Sequence, residues 1–236
     1  MNLVTMSWPF DLEHSVVIAL MLIIPGLAAW GARKSQGVLL GVRWSFTVML
    51  VGNKFFALYL ALNVEGIGWR DILPLHVCDL ATLWVILALW SRNQIWMDLA
   101  YFWGLAGTLQ GVLTPDLPVE FPHARWFSFF ISHAGIVAGV LYLVWGERRR
   151  VYLRSVWAAW KWIMVYAVCV SVVNVLLGTN YGYLCAPPQN PSLIDYLGPW
   201  PWYIGSLMIL AVVKFFIYYL PFAWSDFRRR QQGAAR

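Results

Sequence analysis

The chain has 236 residues, of which 61% are hydrophobic, 17% aromatic and 12% charged, with a formal net charge of +6. An ordinary soluble domain of this length needs more polar residues than that to cover its surface, so the composition excludes a water-soluble enzyme and points to a membrane protein. The excess of basic residues does not form a stripe that would read as a nucleic-acid footprint, and no nucleic-acid partner is expected.

A spanning helix needs roughly 20 apolar residues. The chain supplies seven such segments, at about 15–31, 42–63, 73–90, 96–113, 127–145, 156–177 and 202–224, with ends uncertain by about four residues. They fill most of residues 1–236, which predicts one transmembrane domain, an all-α polytopic membrane protein with seven transmembrane helices, and no soluble appendage. Arg33, Lys34, Arg43, Arg92, the run Arg148 to Arg150, Arg154, the run Arg228 to Arg230 and Arg236 fall at every second helix end. The other ends have mainly Arg70 and Arg125 among the acids Asp11, Glu13, Glu65, Asp71, Asp116, Glu120 and Asp195. Short cytoplasmic loops accumulate Lys and Arg, so the N-terminus is expected outside and the C-terminus in the cytoplasm. The first segment lacks a basic n-region and a small-residue cleavage site and is not read as a signal peptide.

Tryptophan repeats the layering. Trp8, Trp69, Trp126, Trp200 and Trp202 fall at outer ends, and Trp44, Trp90, Trp96, Trp145, Trp157 and Trp224 at inner ones, where an amphipathic ring suits the headgroup layer. The long connection from Gly178 to Pro201 keeps a high aromatic and leucine content and reads as an ordered outer cap.

The third segment opens with LPLHVCDLATLW, which places His76, Cys78 and Asp79 near its outer end. In the fifth segment, FFISHAGIV puts His133 at a similar depth. Gln110, Asn174, Asn180 and Tyr181 belong to the same outer layer, while Asn53, Lys54 and Lys214 reach the midplane from other helices. Lys54, Asp79 and Lys214 are costly in lipid and are expected to face one another or water. Polar residues from most helices therefore converge in the outer half, as a packing network or as a buried site.

Cysteine with a neighbouring base is a nucleophile. His76 and Asp79 lie three apart on one helix face, whereas Cys78 points about 200° away from His76. His133 on another helix is thus the better base for Cys78. Three other roles stand beside that one: a small hydrophobe, as for Cys169; a disulfide with Cys185; and a metal ligand, ranked lower because the HVCD spacing fits no standard zinc signature. No metal or other cofactor is expected. His14 and His123 read as interfacial side chains.

LPLHVCDLATLW, WGLAGTLQGVLTPDL, FISHAGIVAGVLYLVWG, NYGYLCAPP and LGPWPWY together resemble the YwaF-like family of bacterial integral membrane proteins. More distantly the pattern is similar to eukaryotic transmembrane cysteine acyltransferases that remodel ether phospholipids. That resemblance implies a nucleophile at Cys78, an essential histidine at His133, and a cap containing Leu184-Cys185 and Gly198-Pro199-Trp200. The chain departs from it where Asp79, not histidine, follows the cysteine, with a histidine preceding it at His76. The expectation is a protein of the bacterial cytoplasmic membrane whose outer cavity binds membrane phospholipids. Acyl transfer or ester hydrolysis would use Cys78, His133, His76 and Asp79, with Lys54, Gln110, Asn174, Asn180, Tyr181 and Lys214 lining the substrate site. The alternatives are a transporter or channel for an ion or small solute, and a lipid-binding protein without turnover.

Overall fold

The computed structural model describes residues 11–115, 117–188 and 192–234; Trp8, Asp116 and Arg236 lie outside them. Among the described residues the chain is all-helical, with no strand. In chain order come α1 (Leu12–Ala32), α2 (Gln36–Tyr59), α3 (Val77–Trp90), α4 (Gln94–Trp103), α5 (Leu109–Leu113), α6 (Ala124–Trp145), α7 (Leu153–Leu177) and α8 (Trp202–Ala234). A π-helical turn, Leu60–Val64, prolongs α2, and another, Gly104–Thr108, joins α4 to α5 in one continuous rod. Each of the seven apolar segments falls on helix.

Five helical segments among the described residues are long and apolar enough to cross a membrane: Leu12–Ala32, Gln36–Val64, Ala124–Trp145, Leu153–Leu177 and Trp202–Gln232. The protein is accordingly a multi-pass membrane protein. α3, with 14 residues, is shorter than a full span. The α4–α5 rod has polar Asp98 and Gln110 within it, and every residue from Met97 to Leu105 is buried. Its neighbours, not lipid, supply its surroundings. Large apolar side chains such as Val168, Val175, Leu176 and Ile209 instead stand exposed on α7 and α8, as a lipid-facing surface requires.

Local chemistry sets the helix ends. The Ser35 hydroxyl accepts the Val38 amide at 3.1 Å and starts α2. Gly178, in the left-handed region at φ 70°, ends α7. α6 occupies the middle of the bundle because Gly135 and Gly139, four apart on one face, let neighbours approach. A Cβ on Gly139 would lie 2.7 Å from Val85 of α3, and one on Gly135 would lie 2.8 Å from Met49 of α2.

The two ends of the bundle differ. At one end Arg43 makes a two-pronged ion pair with Glu147, both contacts at 2.8 Å, and Arg150 pairs with Asp226 at 2.5 Å. There Arg149 donates to the carbonyls of Ala88, Ser91 and Asn93 at 3.0–3.2 Å, satisfying the exit of α3. The opposite end holds the start of α1, the 65–76 connection, the start of α6 and the described parts of the connection from α7 to α8, 178–188 and 192–201. His14, expected to have no special duty, is buried in this layer and bonds to the Val112 carbonyl at 2.5 Å, tying α1 to α5. Trp96, expected at the headgroup level, is half-buried and stacks on Trp84 with ring centroids 5.3 Å apart.

Candidate functional site

α3 starts at Val77, not at residue 73, because of its own first residues. Pro74 disfavours helix at the residue before it. The Asp79 carboxylate then reaches back to accept the His76 backbone N–H at 3.1 Å, fixing the first turn. Cys78 consequently sits in that turn. The amides of Asp79 and Leu80 both go to the His76 carbonyl, at 3.0 and 3.2 Å, whereas those of Val77 and Cys78 have no backbone acceptor.

Cys78 and Asp79 line a cavity of about 280 Å³ at the less basic end. α2 contributes Asn53 and Lys54; α6 contributes Arg125, Ser128, Phe129, Ser132 and His133 from one face, in the two runs 125, 128, 132 and 125, 129, 133 at three- and four-residue spacing. Lys54 is ion-paired with the other oxygen of Asp79, so the two residues expected to seek each other do so. Glu65, just past the π-helical turn of α2, pairs with Arg125 at 2.9 Å. Asn53 donates to the Ser128 carbonyl at 2.9 Å, and its amide oxygen is buried without a partner.

His133 donates from Nδ1 to the Phe129 carbonyl at 2.9 Å. A carbonyl can only accept, so the neutral ring keeps its lone pair on Nε2. The ring is held between Phe129, stacked at 4.0 Å, and Gly111, where a Cβ would come 2.8 Å from the imidazole Cδ2. Cys78 and His133 share the cavity wall, with no direct hydrogen bond between them.

The His76 ring, three residues before Asp79, makes no hydrogen bond or ion pair with the Asp79 carboxylate. Asp79 spends its oxygens on the His76 amide and Lys54, and the His76 ring packs edge-on against Tyr181 at 5.1 Å and against Tyr183 at 6.0 Å. His76 and Asp71 line the first cavity and also a second, of about 240 Å³, beneath the 178–188 cap. Asn180 and Tyr181 line only this second cavity. The Asn180 amide is occupied in the loop, accepting from Cys185 and Ala186 at 3.0 and 3.1 Å. The Tyr181 hydroxyl donates to the Arg70 carbonyl at 2.6 Å and accepts the Leu73 amide at 2.8 Å, and burial pushes its phenol above the ordinary range, so it stays a donor.

The other expected substrate contacts are elsewhere. Asn174 is buried and scaffolds the cap, donating to the Tyr181 carbonyl at 2.9 Å and accepting from the Tyr181 amide and Thr179 hydroxyl at 2.8 and 3.0 Å. Lys214 donates to the Ala106 carbonyl of the second π-helical turn at 3.3 Å and to Gln110 at 3.2 Å, and neither Lys214 nor Gln110 lines either cavity. All three cysteines are free, so no bond joins Cys78 to Cys185. Among the described residues no group of three or more histidine, cysteine or acidic side chains is placed to hold a metal ion. Sequence reasoning gave Asp71, Glu65 and Arg125 no part in the site and did not single out Ser128 and Ser132; the 125, 128, 132 spacing on α6 was the available signal.

No solved structure matches the chain. It is similar to an uncharacterized protein of Treponema pallidum (strain Nichols), 27% identical over 170 residues that cover 71% of this chain and 69% of that protein. A family model described as the TMEM164 family matches residues 7–219. This fits the more distant relationship to eukaryotic transmembrane proteins and gives the YwaF-like name no support. With the match running from before α1 into α8, the chain belongs to the TMEM164 family.

Proposed function

We propose that this protein is a membrane lipid acyltransferase or acyl-ester hydrolase working through a covalent Cys78 intermediate. The observation that carries the reading is the meeting of Cys78 and His133 on one cavity wall, with His133 Nδ1 already committed to a backbone carbonyl. Nε2 of His133 takes the thiol proton as Cys78 Sγ attacks the ester carbonyl of a phospholipid. A C–S bond forms, the C–O bond breaks, and the leaving alcohol of the lysolipid takes the proton from His133. The thioester then passes its acyl group to an acceptor hydroxyl or to water, and the thiol returns. The amides of Val77 and Cys78 at the head of α3, which have no backbone acceptor, supply donors for the developing oxyanion. Lys54 and Asp79 hold that helix end against α2 and serve as positioning residues. Nothing favours the transporter reading: Lys54 is neutralised by Asp79, and Lys214 points away from the cavity to Gln110.

The same reading makes residues 1–236 one membrane domain. It takes α3 and the α4–α5 rod as the third and fourth of seven spans, shielded by the five longer ones. The basic end then faces the cytoplasm of a bacterial cell, the N-terminus lies outside, and both cavities belong to the outer leaflet side. The test is turnover by purified protein in nanodiscs of mixed phospholipids. Release of lysophospholipid and transferred chains, lost in Cys78→Ser and retained in Lys214→Ala, supports the enzyme; the opposite pattern refutes it.

A further inference from the structure

The charged residues around the larger cavity do not cancel. Among the described residues, Lys54 is matched by Asp79 and Arg125 by Glu65, which leaves Asp71 as the fifth charged group of the lining and the one without an ion-pair partner. The neighbouring Arg70 turns its guanidinium over the Trp69 ring, 5.5 Å from the centroid, and is not among the residues lining either cavity. Asp71, an exposed residue, stands where the two cavities adjoin, and on its cap side the wall combines the rings of His76, Tyr181 and Tyr183 and the two prolines Pro187 and Pro188 with the polar Thr179 and Asn180. The Tyr181 hydroxyl is tied to Arg70 and Leu73, which fixes the ring. One unneutralised carboxylate beside tyrosine rings is the environment that attracts an organic cation, by direct charge and by the negative face of the rings. A cavity of about 240 Å³ has room for several waters' worth of such a group.

We propose that the cap cavity is a binding site for an ammonium group, primary or quaternary, with Asp71 as its counter-charge and Tyr183 as its aromatic wall. The proposal concerns binding alone and stands whether or not Cys78 performs acyl chemistry. The ammonium can arrive on a soluble amine or on the headgroup of a zwitterionic lipid.

The test uses purified full-length protein in detergent, with choline as the probe and 3,3-dimethylbutan-1-ol, its uncharged isostere, as the control, both followed by saturation-transfer NMR. Choline should bind and the isostere should not. Asp71→Asn should weaken choline at least about tenfold and Tyr183→Leu severalfold, with Glu120→Gln, an exposed acid outside both cavities, unchanged. Thermal unfolding midpoints establish that the variants are folded. A second arm measures lipids retained in native mass spectrometry from an equimolar mixture of phosphatidylcholine, phosphatidylethanolamine and phosphatidylglycerol. An Asp71-dependent preference for the first two identifies the source as a headgroup; choline binding without that preference identifies it as a soluble amine. Equal binding of choline and its isostere, or choline binding unchanged in folded Asp71→Asn, overturns the proposal.

Discussion

His133 donates its Nδ1 proton to the carbonyl of Phe129, one turn earlier on the same helix, and stacks on the Phe129 ring at 4.0 Å. A histidine oriented by its own helix needs no carboxylate behind it, which accounts for Asp79 being free to engage Lys54 and the head of α3. Asparagine at position 133 can keep the donor to Phe129 while removing the base. His133→Asn should therefore lower lipid turnover by roughly 10²–10⁴-fold with little change in thermal stability. Turnover near the wild-type level in a folded His133→Asn protein would remove His133 from the chemistry.

The imidazole is positioned from its other side by a glycine. A Cβ at position 111 would come 2.8 Å from the ring Cδ2 and 3.3 Å from Nε2, whereas Gly41 has open space around it. Glycine to alanine in a helix ordinarily stabilises by about 0.5–1 kcal/mol. Gly41→Ala should show that gain or no effect. Gly111→Ala should instead displace the ring and cost activity severalfold or more, while Cys78 remains open to a thiol reagent. Equal activity of the two variants would mean that the placement of His133 is immaterial.

Lys54 and Asp79 form an ion pair in which the Lys54 side chain keeps 43% exposure and that of Asp79 13%. Removing one member strands the other charge. Because the lysine is partly open, Lys54→Ala should cost about 1–3 kcal/mol, below the 3–5 typical of a fully buried pair. Lys54→Ala with Asp79→Asn should recover part of that loss, since asparagine can still accept the His76 amide. Purely additive effects in a double-mutant cycle would mean that the pair contributes no coupling.

Depth was legible in the sequence and azimuth was not. The 1.5 Å rise per residue grouped His76, Cys78, Asp79 and His133, and all four line one cavity. It also grouped Gln110 and Lys214 with them, although these two meet each other on another side of the bundle. A helix that is apolar nearly all round carries no stripe to say which face points inward, so pairs such as Lys54 with Asp79 or Glu65 with Arg125 depend on how helices far apart in the chain pack. α3 starts four residues into its apolar segment, at the edge of the expected uncertainty, because hydropathy continues smoothly through Leu73 to Val77, while the cap that decides the matter is a hydrogen bond from the His76 amide to Asp79. Asn174 was noticed as polar, but its duty to the Tyr181 backbone could only come from the fold of the cap.

The seven-span topology has a direct check. A cytoplasm-active reporter fused after Arg230 should be active, and an epitope ahead of Leu12 should be reached by antibody only from the outer face. Both ends on one side would require an even number of spans and would separate the two cavities from the outer leaflet.

The central claim is that Cys78 carries an acyl group during turnover. Wild-type protein in phospholipid nanodiscs, quenched in acid and digested, should yield a Cys78 peptide heavier by one fatty acyl chain, and neutral hydroxylamine should remove that mass as expected of a thioester. Lysophospholipid should appear in step with the adduct, and both should vanish in Cys78→Ser. Lysophospholipid production that continues undiminished in Cys78→Ser, with no acyl mass on the wild-type peptide, would contradict the account.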